Sequence, residues 1–204
     1  MLFRSSLSGF TTATVPAAPK LLWTFKTGAD IASSPAIAEG RVYIGSGDSN
    51  LYCLNLADGR KIWSFRSGGP VESSPLILEG RVFFGDSNTN FHALDAKNGR
   101  RVWSGWGDGE FKGGANWLKA PDGLGAWIVA GNWDNRLYCW DAQTGKSNWV
   151  YETGNRINGS PAAGDGFTAF GGCDALVHVV SLVSGRKVRE IDAGAYIAAS
   201  AALV

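Results

Sequence analysis

One phrase is written three times in this chain. LYCLNLADGRKIW runs from Leu51 to Trp63, FHALDAKNGRRVW from Phe91 to Trp103, and LYCWDAQTGKSNW from Leu137 to Trp149. Copies of one phrase at a fixed distance fold alike, so the repeat limits the architecture more than composition can. Three markers keep a single register. The turn glycines Gly59, Gly99, Gly145 and Gly185 are spaced 40, 46 and 40 residues apart. The glycines that end an apolar run, Gly45, Gly85, Gly131 and Gly171, repeat those spacings. Ser-Pro pairs ending at Pro35, Pro75 and Pro161 fall in step with both. The six extra residues of the third unit fall in the turn APDGLGA, Ala120 to Ala126.

Each unit reads as four short strands. In the second they are ESSPLIL, RVFF, FHALDA and RRVWSG, joined by EG, DSNTN and KNG. Those joints are rich in Gly, Asn, Asp and Ser, which turns favour. In RVFF, Val82 and Phe84 share one face and Phe83 takes the other. No long stretch has a period of 3.6, so no helix is predicted. Four-stranded antiparallel sheets at a period near 40 are the blades of a β-propeller. The expected fold class is all-β, with about four blades at residues 31–66, 71–106, 113–152 and 157–192. Single flanking strands are expected at 21–27 and 196–204, after a flexible leader over 1–20. The repetition has a physical purpose, because a small sheet cannot bury both faces alone and stacked copies bury each other. Composition agrees: 28 glycines and nine tryptophans against one methionine suit many short strands and tight turns.

Several classes are disfavoured. The net charge is +1 and no Lys/Arg cluster stands out, so a nucleic-acid footprint is not expected. No apolar run approaches the ~20 residues of a membrane span. The start, MLFRSSLSGFTTATVPAAPK, has no continuous apolar stretch and makes a poor signal peptide. Three cysteines without C-x-x-C spacing indicate neither a disulfide framework nor a zinc site.

The motif D-A-x-x-G-x-x-x-W, in Asp95–Trp103 and Asp141–Trp149, with SSP before and VYIGSGD between, resembles the PQQ-binding-like β-propeller repeat. The resemblance runs from Leu22 to Val204. That family includes quinoprotein alcohol dehydrogenases and the outer-membrane assembly lipoprotein of the bacterial β-barrel machinery. It implies a closed ring of seven or eight blades, of which this chain is part. The remainder is then either missing blades of the same chain or a second copy in a homodimer. It also implies a periplasmic or extracellular location. It makes Gly59, Trp63, Gly99, Trp103, Gly145 and Trp149 docking elements between blades. The fourth unit departs, with Arg189 in the Trp position and Ser181 in the Asp position, and is expected to dock more loosely.

Candidate chemistry is sparse. Cys53 and Cys139 share a slot with Ala93 and Val179, which asks for a small apolar side chain. Cys173 lies in a turn. His92 and His178 take the slots of Tyr52 and Tyr138, so they read as repeat-position residues rather than acid–base or metal groups. Asp48, Asp134 and Asp174 recur in the turn after the second strand, with Asn88 in the same slot, and are expected to cap that turn. One carboxylate per blade falls short of the six or more oxygens that calcium takes. The irregular third unit carries Trp106, Trp117, Trp127, Trp133 and Trp140 and the acidic loop GWGDGEFKGG. Trp106, Asp108, Trp133 and Asp134 are the candidate ligand-binding residues, since exposed indoles beside carboxylates suit a peptide or a sugar ring. The alternative is that these tryptophans fill a wider core.

Three functions follow. The leading one is a non-catalytic scaffold for a protein or peptide partner, without catalytic residues, cofactor or metal, resembling the assembly propeller. The second is part of a quinone-dependent dehydrogenase. There the resemblance implies PQQ beside calcium under a disulfide of adjacent cysteines, which this sequence lacks. The third is a glycan-binding propeller built on the Trp-rich unit.

Overall fold

The computed structural model describes residues 17–202. Four four-stranded antiparallel sheets follow one another along the chain, and no helix occurs among the described residues. The first holds β1 (Ala36–Ala38), β2 (Arg41–Gly45), β3 (Asn50–Asn55) and β4 (Lys61–Arg66). The second holds β5 (Leu76–Leu78), β6 (Arg81–Gly85), β7 (Asn90–Asp95) and β8 (Arg101–Trp106). The third holds β9 (Asn116–Lys119), β10 (Ala126–Gly131), β11 (Arg136–Asp141) and β12 (Ser147–Glu152). The fourth holds β13 (Ala162–Gly164), β14 (Phe167–Gly171), β15 (Leu176–Ser181) and β16 (Lys187–Asp192). Within each sheet, each strand pairs with the next, as expected of propeller blades.

Turn chemistry sets these meanders. Glu79 and Gly80 join β5 to β6 with φ of 47° and 73°, a two-residue hairpin that needs left-handed backbone at both positions. The third sheet replaces that tight turn with residues 120–125, where the sequence places its six extra residues. In the turn from β7 to β8, Asp95 Oδ1 accepts from Lys97 N at 2.8 Å and Asn98 N at 3.1 Å. Gly99 then closes the turn, donating to Asp95 O at 2.8 Å. The D-A-x-x-G motif is thus an aspartate-capped turn.

The repeat markers are contacts between neighbouring sheets. At the first strands, Ser74 Oγ accepts from Ser34 N at 3.0 Å, and Ser160 Oγ from Gly114 N at 2.9 Å. At the ends of the second strands, Gly45, Gly85, Gly131 and Gly171 lie against Val71, Phe111, Ile157 and Ile197 of the segment leading into the next sheet. A side chain on any of these glycines would overlap that neighbour. At the last strands, Trp63 Nε1 donates to Ala96 O at 3.1 Å, Trp103 Nε1 to Ala142 O at 3.0 Å, and Trp149 Nε1 to Leu182 O at 2.8 Å. Each indole covers the turn glycine of the following sheet. A Cβ on Gly99 would sit 2.7 Å from Trp63, and one on Gly145 2.6 Å from Trp103.

The aromatic core between the second and third sheets holds Phe83, Phe91, Trp103, Phe111, Tyr138 and Trp140. Trp140 stacks on Phe91 at 4.7 Å and on Tyr138 at 5.2 Å.

The ends differ from the sequence expectation. Residues 21–27 and 196–202 are not in strands. Neither has a neighbouring strand of its own sheet to pair with among the described residues. Both still make the contacts of their repeat positions: Trp23 Nε1 donates to Leu56 O at 2.9 Å, and Ser200 Oγ accepts from Ser160 N at 3.0 Å. Most of the expected leader, residues 1–16, and residues 203–204 lie outside the described residues.

Candidate functional site

The turns between second and third strands gather most of the polar candidates. In the first sheet Asp48 Oδ2 accepts from Tyr52 OH at 2.7 Å and from Gly28 N at 2.7 Å. In the third, Asp134 Oδ2 accepts from Tyr138 OH at 2.5 Å and Asp108 N at 2.9 Å. In the fourth, Asp174 Oδ2 accepts from His178 Nε2 at 2.8 Å and Gly154 N at 3.1 Å. Each carboxylate therefore ties its own sheet to the loop that enters it. Burial, and then the bond to the carboxylate, pushes the Tyr52 and Tyr138 phenols up to about 12.

The second sheet solves the same problem differently. Asn88 holds the expected slot, but the carboxylate comes from Asp86, two residues earlier. Asp86 Oδ2 lies 2.9 Å from His92 Nε2 and accepts from Gly68 N at 3.1 Å. The pair is sealed under Phe84, which stacks on the imidazole at 4.9 Å, and Phe65, which meets it edge-on at 5.3 Å. Burial alone would push the Asp86 carboxyl up. The bonds from His92 and Asn90 outweigh it and hold the carboxyl below its usual range. The sequence singled out His92 and missed Asp86; the signal for it was an aspartate in the only turn lacking one at the usual slot.

Of the four candidate ligand-binding residues, two stand in solvent. Trp106 ends β8, in the second sheet rather than the third, and is 74% exposed. Asp108 is exposed and accepts from Arg136 Nη1 at 2.8 Å. Asp134 is nearly covered and committed to its turn. Trp133 is half-buried, with Lys112 Nζ 5.1 Å and the Arg156 guanidinium 4.8 Å from its ring centroid. Lys112 in turn bridges Glu72 at 2.7 Å and Glu110 at 2.8 Å. The loop and the turn do meet: Trp133 N donates to Glu110 O at 3.0 Å, and Asn132 Nδ2 to Gly109 O at 2.8 Å.

The residues present do not fit PQQ with calcium. Among the described residues no three of His, Cys, Asp and Glu gather where they could hold a metal ion. Cys53 and Cys139 are buried in separate sheets, and burial pushes the Cys139 thiol up to about 12. The turn carboxylates already accept from backbone and ring donors on both sides.

Fold and contacts together define a PQQ-like β-propeller. A family model described as outer membrane protein assembly factor BamB matches residues 12–120, just over half of the chain, and the chain belongs to this family. Among solved structures, BamB from Moraxella catarrhalis is 20% identical with a TM-score of 0.70, covering 83% of this chain and 52% of that one. The computationally designed Ika8 protein is 15% identical with a TM-score of 0.70, covering 81% and 50%. At such identities the likeness is one of fold. The chain spans about half the length of the solved structures it matches. No curated protein matches it. No helix of the described residues is long and apolar enough to cross a membrane.

Proposed function

We propose that this propeller is a non-catalytic scaffold that binds a protein or peptide partner. One observation carries the reading. The last strand of each sheet is paired on one side only. Three of them end in a charge, at Arg66, Glu152 and Asp192. Charges at an open edge discourage the addition of a further strand. The fourth, β8, ends in Trp106, and Val102 is exposed on the same face of the strand. An extended segment laid beside β8 would gain main-chain hydrogen bonds, with Trp106 as its apolar anchor. The matched family is described as an outer membrane protein assembly factor, which supports a partner drawn from outer-membrane protein assembly.

The test is a titration with a labelled peptide of alternating apolar and polar residues, the pattern of an outer-membrane strand. Trp106→Ala is expected to weaken binding by about tenfold or more while the melting temperature holds. A wild-type chain that binds no such peptide, or that reduces a dye when supplied with PQQ and calcium, contradicts the reading.

A further inference from the structure

Arginines plug two of the three junctions between neighbouring sheets. Arg41, at the start of β2, donates to Ala96 O at 2.7 Å and Lys97 O at 3.2 Å. Arg81, one repeat later, donates to Ala142 O at 2.7 Å and Gln143 O at 2.6 Å. In both cases the acceptors lie in the turn before the last strand of the next sheet. The space left beside Arg81 is about 60 Å³.

The third junction lacks its arginine. Trp127 holds the position. Its Nε1 lies 3.3 Å from the side-chain amide of Asn148 in its own sheet, which accepts when the amide is turned oxygen-first. The acceptors equivalent to those of Arg41 and Arg81 are Leu182 O and Val183 O. Leu182 O keeps its bond from Trp149. Val183 O receives no donor among the described residues. The large side chain that flanks each arginine, Tyr43 or Phe83, is here Val129. Beside it, between the third and fourth sheets, lies a cleft of about 370 Å³ lined by Leu118, Lys119, Pro121, Asp165, Leu182 and Val183.

We infer that the cleft between the third and fourth sheets binds a guanidinium group on an apolar stem, in the place the chain's own arginine takes at the other two junctions. The planar fork of donors suits the free carbonyl and the Asp165 carboxylate, and the stem lies along Leu118 and Pro121. Lys119 also lines the cleft, where the first two sheets have Glu39 and Glu79. It is exposed, so its ammonium can remain in water. The inference goes beyond the scaffold reading and stands without it.

Acetyl-arginine-amide and acetyl-Leu-Arg-Leu-amide, each with a citrulline counterpart, are titrated against the isotope-labelled chain by NMR. The arginine probes are expected to shift Trp117, Leu118 and Val183, and to bind about tenfold or more tightly than the citrulline probes, a difference of about 1.4 kcal/mol. Tighter binding of the tripeptide assigns the guanidinium to a peptide, and equal affinity assigns it to a free small molecule; both support the site. Trp127→Arg refills the junction and is expected to abolish binding. Lys119→Glu restores the acidic residue of the earlier repeats and is expected to tighten it. Equal affinity for arginine and citrulline overturns the inference, as does binding that survives Trp127→Arg in a folded variant. If that variant does not fold, an unchanged affinity in Lys119→Glu overturns it instead.

Discussion

Trp103 and Trp106 stand three residues apart on β8 and point to opposite faces. Trp103 is buried, stacks at 6.1 Å on Phe91 and reaches the next sheet through Ala142. Trp106 touches solvent. Trp103→Ala is expected to cost about 3–5 kcal/mol, the range for a large aromatic removed from a core. Trp106→Ala is expected to stay within about 0.5 kcal/mol. Denaturant midpoints of the two variants check both values. Asp86 carries a pH signature. Its folded carboxyl lies below its usual range, so its contribution is complete above the unfolded value and fades as pH falls through the folded one. Asp86→Asn is expected to flatten the acid limb of stability below about pH 4, measured by thermal melts across pH. A wild-type and variant limb of equal steepness would show that other carboxylates set it.

At the scale of strands and turns, the glycines separate by what they meet. Gly80 has φ 73° and nothing near a Cβ, whereas Gly85 has ordinary backbone but abuts Phe111. Gly80→Ala is expected to cost about 1 kcal/mol from left-handed strain alone. Gly85→Ala is expected to cost more, about 1–3 kcal/mol, because the side chain must displace a neighbouring sheet's anchor. The thiols divide in the same way. Cys53 and Cys139 are expected to resist alkylation until the sheets open, while half-buried Cys173 reacts in the native chain, as timed mass spectrometry would show.

This is also the scale at which the sequence was legible, and where it stopped. Spacing located the strands and the inserted turn, because every copy obeys one pattern of turns and apolar runs, while docking between sheets rested on the family resemblance. Spacing alone does not say which glycine each tryptophan covers: it is that of the following unit, not its own. A repeat period is the same whether a contact closes within a unit or between units. The Asp86–His92 pair escaped for a related reason: slot-by-slot alignment expects a role to stay in its slot, and here it moved two residues while its partners stayed. The flanking segments read as strands because composition matches, but a strand exists only where a ladder partner lies beside it.

At the scale of the whole molecule, the first and last sheets leave apolar side chains exposed among the described residues. Ile37 of the first sheet is 40% exposed, and every residue of β16 is exposed in the last. Such faces favour association. The chain is expected to show a weight-average mass that rises with concentration in sedimentation. Val188→Lys with Ile191→Lys is expected to suppress the rise, and a constant monomer mass would show that the faces tolerate water. The claim that matters most for function is strand addition at β8. Hydrogen exchange of the amides from Arg101 to Trp106, with and without saturating strand-pattern peptide, tests it most directly. Strand addition there adds protection along β8 and none along β4 or β12. Protection confined to other strands, or none anywhere despite binding, would contradict it.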